Sequence, residues 1–422
     1  LSDFMSVRTE LFSSTLQSDK LELTLSFSKP SPSANGWLDY LSVNTRQNLI
    51  FTGTPLAFRD LQTVGTGNIT KFIVTGTTPL AKVWDITSIF DTKEIVMQSN
   101  GQFSVPTESL REFIAFDPTK APELESFAEV ENQNIHAMGQ PNMVIVTHPM
   151  FLSQAEGLAE LHRQTDNLTV VVVTTEQVYN EFSAGAADPT AIRNMMRMLY
   201  NRASTQQEIP RYLLLFGDGS YDNVSTKKGN TNLIPTFQSS NSTSKTSSFV
   251  TDDYFGLLDI NEGEADGLID IGIGRFPVST QEQANTIINK INSYYNQTHS
   301  GDWQNQLCFI GDDEDGNVHM RDANILADYV RNNHSVFNVQ KIFFDAYPQQ
   351  SSPTGELYPD VNAAINNRVN NGALIINYTG HGNERWLAHE KVVMISDILS
   401  WRNINKLNVF VTATCEFSRF DD

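Results

Sequence analysis

The sequence predicts an α/β protein with parallel sheets flanked by helices, preceded by an all-β N-terminal domain. Three observations carry this prediction. Short segments that alternate between apolar and polar residues dominate up to residue 118. A stretch containing two prolines then interrupts the alternation. From residue 141 onward, near-continuous apolar segments alternate with helical ones, which is typical of parallel strands buried on both faces.

Residues 1–118 are expected to form a sandwich-like β domain, whose role the sequence does not reveal. The segment Leu21–Phe27 alternates at period two, as a half-buried strand does. Residues 119–140 are expected to be a linker, because the pattern weakens after Asp117–Pro122 and the segment is polar. Further strands of the β domain are predicted at Lys71–Gly76, Trp84–Thr87 and Gln102–Val105.

Residues 141–298 are expected to form a first α/β subdomain. Its helix at Pro189–Arg202 has the clearest start signal, since Asp188 is a good N-cap and Pro189 suits the first helical position. Strands are predicted at Met143–Thr147, Leu168–Thr174, Tyr212–Phe216 and Asp270–Gly274, and further helices at Leu152–Arg163 and Gln281–Asn296.

Residues 299–422 are expected to form a second α/β subdomain with the same alternation. Ligand-binding loops of such sheets lie at the carboxyl ends of the strands, so these ends are where functional residues are expected. Strands are predicted at Leu307–Ile310, Val339–Phe344, Ala373–Asn377 and Leu407–Val411, and helices at Met320–Asn332 and Pro359–Asn370.

Composition excludes several classes of protein. The net charge of −20 disfavours a nucleic-acid partner, because binding phosphates requires clustered cations. The chain has no run of 18 apolar residues that would predict a membrane-spanning helix. Two cysteines make no disulfide framework, and Cys308 within Leu307–Ile310 is expected to be a small core residue.

Two short motifs near the C-terminal end carry the chemistry. Asn377–Gly382 contains His381, and Val411–Glu416 contains Cys415, 34 positions further on. Each motif follows an apolar strand, and the interval leaves room for a crossover between parallel neighbours. A thiolate nucleophile and an imidazole that transfers its proton are what a cysteine peptidase needs.

These motifs resemble those of the gingipain-type cysteine peptidases, which have a caspase-like fold. Four segments match in the family's order, over roughly the last two-thirds of the chain. The resemblance implies that Cys415 is the nucleophile and His381 the general acid/base. It also implies an oxyanion hole made by the backbone N–H groups of Gly382 and Cys415. The four segments are Tyr212–Asp218, Ile273–Phe276, Asn377–Gly382 and the residues around Cys415.

A third catalytic residue is expected at Asp270. In gingipains an acidic residue three positions before the Ile-Gly-Arg-Phe motif lies near the catalytic histidine, and Asp270 has that place here. It would orient His381 or raise its proton affinity, although Asp is one methylene shorter than Glu. The competing interpretation is a surface aspartate at the end of a strand.

The residues after the histidine motif are expected to line the substrate cleft. They are Asn383, Glu384 and Trp386, the last of which is equally suited to packing. The chain has neither His-Glu-x-x-His nor Cys-x-x-Cys, so a zinc enzyme is disfavoured and no cofactor is required.

Calcium is the metal that the resemblance leaves open. The candidate ligands are Asp312, Asp313 and Asp315, because clustered carboxylates supply the oxygen ligands that Ca²⁺ prefers. The loop does not fit the EF-hand template, so a solvated acidic loop is the competing interpretation.

Within the family, the segments Leu387–Glu390 and Cys415–Asp421 resemble the branch that acts as signal peptidase and sortase of type IX secretion. This implies protein substrates with a C-terminal signal domain, a possible lipopolysaccharide acceptor, the outer-membrane partner PorV and a place on the bacterial cell surface. The alternatives are an inactive caspase-like scaffold and a gingipain-like digestive endopeptidase.

The chain is expected to be one piece of a longer protein. It starts at Leu1 with neither Met nor a signal-peptide pattern. Seven residues follow Cys415, whereas caspase-like domains continue past the nucleophile with elements that brace the site.

Overall fold

The computed structural model describes residues 5–15, 18, 20–123, 129–224, 229–244, 247–264, 266–296, 300–353 and 355–421. The chain falls into two compact units, Leu11–Glu131 and Asn132–Asp422, and Leu1–Glu10 is grouped with the second. The division lies inside the predicted linker, residues 119–140, of which residues 124–128 are outside the described residues.

The first unit is antiparallel β structure around an aromatic core. A four-stranded sheet of order β1-β6-β3-β4 and a two-stranded sheet β2-β5 share that core. Phe72 of the small sheet meets Phe113 of the large one with ring centroids 5.1 Å apart. The strands are β1 (Leu56–Arg59), β2 (Ile69–Ile73), β3 (Lys82–Asp85), β4 (Lys93–Ile95), β5 (Gln102–Pro106) and β6 (Glu112–Phe116).

The strand predicted at Leu21–Phe27 does not form. The segment has no strand pairing, and its apolar side chains are exposed, with Leu25 74% accessible. Alternation indicates a strand only where a neighbouring strand and a covering layer are present, and this segment has neither.

The second unit contains two parallel sheets. The first has the order β12-β9-β7-β8 and buries Val144, Ile145, Val146 and Leu215 completely. The helix at 189–202 begins as predicted, because the side chain of Asp188 accepts a hydrogen bond from the N–H of Thr190. The elements of this part are β7 (Met143–Thr147), α1 (Leu152–Thr165), β8 (Val170–Thr174), α2 (Thr175–Phe182), α3 (Pro189–Arg202), β9 (Tyr212–Phe216), β10 (Phe237–Gln238), β11 (Val250–Thr251), β12 (Gly272–Phe276) and α4 (Gln281–Tyr295).

The second parallel sheet has the order β14-β13-β17-β20. Its core includes Ile310, Ile342, Ile376 and Tyr378, all fully buried. Its elements are β13 (Gln306–Gly311), α5 (Glu314–Asn333), β14 (Asn338–Phe343), β15 (Gln350–Ser352), β16 (Gly355–Leu357), α6 (Pro359–Asn371), β17 (Ile375–Thr379), β18 (Trp386–Leu387), β19 (Val393–Met394), α7 (Ile395–Ser400) and β20 (Val409–Ala413).

The predicted fold class is confirmed: parallel sheets flanked by helices follow an antiparallel β region. Among the helices of the described residues, none combines the length and the apolar character needed to cross a bilayer.

Candidate active site

The histidine and cysteine motifs follow two adjacent strands. β17 and β20 pair in parallel, with Thr379 opposite Ala413. His381 and Cys415 each lie two residues beyond this last pair, at the same edge of the sheet. The N–H of Gly380 donates to the carbonyl of Ala413 across 3.2 Å, which extends the contact of the two segments past the strands. The structure thus brings together the two residues on which the peptidase prediction rests.

Both glycines of the histidine motif lie so close to neighbouring residues that a larger side chain would not fit. A Cβ on Gly382 would lie 2.5 Å from Oγ1 of Thr414 and 3.3 Å from the carbonyl oxygen of Cys415. A Cβ on Gly380 would overlap the side chain of Asp312. The absence of side chains therefore lets the histidine loop contact the cysteine loop directly.

The backbone of His381 is fixed from two sides. Its N–H donates to Oδ2 of Asp312 across 2.8 Å, and its carbonyl accepts from the hydroxyl of Tyr378 across 2.7 Å. Asp312 and Tyr378 are both fully buried. Burial raises the pKa of Tyr378, so its hydroxyl keeps the proton that it donates.

The imidazole of His381 contacts Asp315. Nε2 lies 3.1 Å from Oδ2 of that carboxylate. Asp315, Gly316 and Asn317 adopt left-handed φ angles of 54°, 65° and 66° near the start of α5. This turn, which period-based prediction does not foresee, places Asp315 beside the histidine. Left-handed non-glycine residues cost about 1–3 kcal/mol each and are concentrated at functional sites.

Two more imidazoles surround His381. The ring of His389 stacks on it at a centroid distance of 4.9 Å, and that of His319 meets it edge-on at 5.0 Å. The sequence gives no signal for His319, because its position four residues after Asp315 is informative only once the turn is known.

Asp270 does not contact His381, which corrects the expectation from the Ile-Gly-Arg-Phe spacing. Its carboxylate accepts hydrogen bonds from the N–H of Leu258 at 3.0 Å and the hydroxyl of Tyr200 at 3.3 Å. It precedes β12 in the first sheet, whereas His381 follows β17 in the second. A residue before a parallel strand lies at the amino edge of the sheet, away from the carboxyl-end loops.

The two cysteines differ in their environments. Cys415 is exposed, whereas Cys308 in β13 is 1% accessible. Burial raises the pKa of Cys308 to about 12, so it stays a thiol at neutral pH. Within the described residues, the backbone N–H groups of Gly382 and Cys415 donate to no other backbone or side-chain group. Both predicted oxyanion donors are therefore available to a ligand.

The three expected cleft residues have different surroundings. Oδ1 of Asn383 accepts from the N–H groups of Arg385 at 2.8 Å and Trp386 at 3.2 Å, so this side chain shapes its own turn. Lys391 lies over the ring of Trp386 at 4.9 Å. Glu384 is 3.8 Å from Arg419. Of the three, Glu384 is exposed, whereas Asn383 and Trp386 are half-buried.

The segment after Cys415 is anchored on the first sheet. The N–H of Tyr221 donates to the carbonyl of Asp421 across 2.7 Å, and the guanidinium of Arg275 lies 4.9 Å from the ring centre of Phe420. Arg275 belongs to the Ile-Gly-Arg-Phe motif and forms two 2.8 Å bonds to Asp252. This motif therefore holds the cysteine loop in place, a role that its sequence alone did not reveal.

The three calcium candidates do not form one cluster, which corrects that expectation. Asp312 and Asp313 group with Glu390, with one carboxylate oxygen of each within 4.8 Å of the others, while Asp315 groups with the histidines. Asp312 is 0% and Glu390 3% accessible. Oδ1 of Asp313 and Oε2 of Glu390 are buried without a hydrogen-bond partner among the described residues. Unpartnered buried carboxylate oxygens fit a cation, so these three residues suit calcium better than the predicted set.

A parallel α/β sheet with His and Cys at adjacent strand ends defines a cysteine peptidase of the caspase-like class. The chain belongs to peptidase family C25, whose family model matches residues 136–422. No curated protein sequence matches it.

The chain is also similar to several solved structures. The dimeric latent PorU from Porphyromonas gingivalis is 31% identical, with a TM-score of 0.54, over 60% of this chain and 26% of that one. The chain thus spans about a quarter of the PorU chain. A structure described only as a protease is 19% identical, with a TM-score of 0.48, over 66% of this chain and 53% of its own. The Arg-specific gingipain R (RgpB) is 18% identical, with a TM-score of 0.45, over 67% and 56%.

Proposed function

We propose that this chain is the catalytic part of a type IX secretion signal peptidase and sortase. The observation that carries the proposal is the pairing of β17 with β20, which puts His381 and Cys415 at one edge of the sheet. The 31% identity to PorU supports this branch of the family over a digestive endopeptidase. The substrates would be cargo proteins with a C-terminal signal domain.

The proposed reaction starts with transfer of the Cys415 thiol proton to His381. The thiolate attacks the carbonyl carbon that precedes the signal domain, and the oxyanion accepts hydrogen bonds from Gly382 and Cys415. One such donor contributes about 3–4 kcal/mol to transition-state stabilisation. The imidazolium then protonates the leaving amine, the C–N bond breaks, and an acyl-enzyme remains.

The acyl-enzyme is resolved by a second nucleophile. Water gives a free carboxylate, whereas the amine of a lipopolysaccharide-linked acceptor gives a new amide. In both cases His381 removes the proton of the nucleophile and returns it to the sulfur of Cys415. Asp315 would orient the imidazole and stabilise its protonated form, as the third member of such a site does.

The same proposal includes the partner and the location. The outer-membrane protein PorV would hold the enzyme at the bacterial cell surface, where cargo emerges. The net charge of −20 agrees with a protein that binds neither nucleic acid nor an anionic surface through its own charge.

Calcium would have a structural role. When bound, it supplies a counter-charge to Asp312, Asp313 and Glu390, of which Asp312 also accepts the N–H of His381. Asp312 and Asp313 lie in the loop after β13, and Glu390 lies in the loop between β18 and β19. A cation that neutralises these three carboxylates would therefore hold the two loops together and keep the histidine loop in place.

The test uses the full-length protein and its Cys415→Ala variant in a bacterial host that lacks the enzyme. Immunoblots of cargo should show the signal domain retained in the variant and removed by the parent. Cys308→Ala is the matched control, because it removes the buried thiol and should leave processing intact once enzyme abundance is normalised. Normal cargo processing by Cys415→Ala would favour the inactive scaffold. Cleavage of general proteins but not of cargo would favour the digestive peptidase.

A further inference from the structure

Asp315, His319 and His381 form a compact group of nitrogen and oxygen ligands, here termed the His–Asp trio. Oδ2 of Asp315 lies 3.1 Å from Nε2 of His381 and 3.5 Å from Nε2 of His319. One ligand atom from each of the three side chains lies within 4.8 Å of the others. A cysteine–histidine reaction uses His381 and an orienting carboxylate, so it has no role for His319.

Two of the three spacings within the trio match those of a tetrahedral metal site, and the third lies within 4.8 Å. Zinc binds nitrogen and oxygen ligands at about 2.0–2.1 Å, so neighbouring ligand atoms of a tetrahedron lie roughly 3.3–3.4 Å apart. The two separations from Asp315, 3.1 Å and 3.5 Å, bracket that value. Two imidazoles and one carboxylate are also an established zinc ligand set that leaves one position open.

A second observation concerns His319 itself. Its Nε2 atom is buried and makes no hydrogen bond within the described part of the chain. The nitrogen nevertheless faces Asp315, which the left-handed turn at residues 315–317 holds between the two rings. A buried nitrogen without a hydrogen-bond partner is a group that a ligand would satisfy.

We propose that the His–Asp trio binds Zn²⁺ reversibly and that zinc holds the peptidase inactive. The metal would accept the lone pair of Nε2 of His381, which leaves the proton on Nδ1. Such an imidazole has no lone pair left to accept the proton of Cys415, so the thiolate does not form by this route. The inhibition rests on the proposed function, whereas the metal site does not.

The binding test uses calorimetric titration of zinc into the full-length Cys415→Ala variant. Removing the thiol first excludes a zinc site made by cysteine and histidine alone. Adding His319→Asn to this variant should weaken zinc binding at least about tenfold, since loss of even a supporting group at a metal site has effects of this size. Adding His389→Asn instead should leave the affinity unchanged, because this ring stacks on His381 but is outside the trio.

The activity test separates the inhibition from the proposed function. Zinc should inhibit the peptidase activity of the parent, and a chelator should restore that activity. The His319→Asn variant should require at least about tenfold more zinc for the same degree of inhibition. Thermal unfolding of the variants confirms that they are folded. Equal zinc sensitivity of parent and His319→Asn, or no zinc binding by Cys415→Ala, would overturn the proposal. If the parent has no peptidase activity, the proposed function fails, and calorimetry alone decides on the metal site.

Discussion

At the scale of single residues, the site depends on groups that hold His381 rather than on His381 alone. Asp312 and Tyr378 fix its backbone, and Asp315 contacts its ring. The sequence identified His381 and Cys415 because their glycine-rich and strand-end settings are local patterns. It selected Asp270 instead of Asp315 because a spacing taken from relatives cannot show which edge of a sheet a residue occupies. The left-handed turn that places Asp315 beside His381 cannot be recognised from the spacing of apolar residues in the sequence.

The variants Asp315→Asn and Asp270→Asn distinguish the two carboxylates. Asparagine in place of Asp315 keeps the shape but loses the charge that stabilises the protonated imidazole, so kcat/KM should fall about 10²-fold. Asp270→Asn should retain the activity per folded molecule, since Asp270 bonds to Leu258 and Tyr200 in the first sheet. The measurement is peptidase kinetics on both variants, and the reverse order of effects would restore Asp270 as the third residue.

At the scale of elements, the strands of the two parallel sheets followed from apolar periodicity, with some ends shifted, whereas helices α2 and α7 had no predicted counterpart. The predicted strands at Ala373–Asn377 and Leu407–Val411 are Ile375–Thr379 and Val409–Ala413 in the structure. Both shifts are two residues, because polar residues such as Thr379 and Thr412 continue the backbone pairing. The strand at Leu21–Phe27 failed for the opposite reason, as an alternating segment needs a partner strand that no local pattern supplies.

The contact between the two catalytic loops can be tested at Gly382. A methyl group there would meet Thr414 at 2.5 Å, so Gly382→Ala should displace the cysteine loop and reduce kcat/KM at least about 10²-fold while the fold persists. Gly274→Ala is the matched control, because the nearest atom to its added Cβ is a Leu214 methyl at 3.8 Å. Kinetics and circular dichroism on both variants check this, and full activity of Gly382→Ala would contradict the close contact.

At the scale of the whole molecule, the sequence anticipated an antiparallel region followed by two parallel sheets, since half-buried antiparallel strands alternate between apolar and polar residues whereas parallel strands buried on both faces are near-continuously apolar. It did not anticipate which buried charges lie together, because Asp313 and Glu390 meet only through the packing of distant segments. Burial, followed by the nearby carboxylates of Asp313 and Asp312, raises the pKa of Glu390.

Calcium removal tests this cluster. Calcium at about 100 times its dissociation constant should stabilise the protein by about 2.7 kcal/mol, which thermal unfolding with and without a chelator would register. Glu390→Gln should abolish the calcium response, since it removes the charge of a ligand that is 3% accessible. Glu314→Gln should keep the response, because its side chain is 43% accessible and outside the cluster. An unchanged melting temperature of the parent in calcium would refute the site.

The anchoring of Asp421 on Tyr221 has a mechanical consequence. Cys415 lies on a segment fixed at Ala413 in one sheet and at Asp421 beside the other. The seven residues between these points span at most about 25 Å when extended. A relative displacement of the two sheets would therefore tighten or slacken this segment and shift the sulfur atom. Tension applied to the chain at Asp421 would likewise reach the nucleophile through the five intervening residues, so the position of the thiol depends on the alignment of the two sheets.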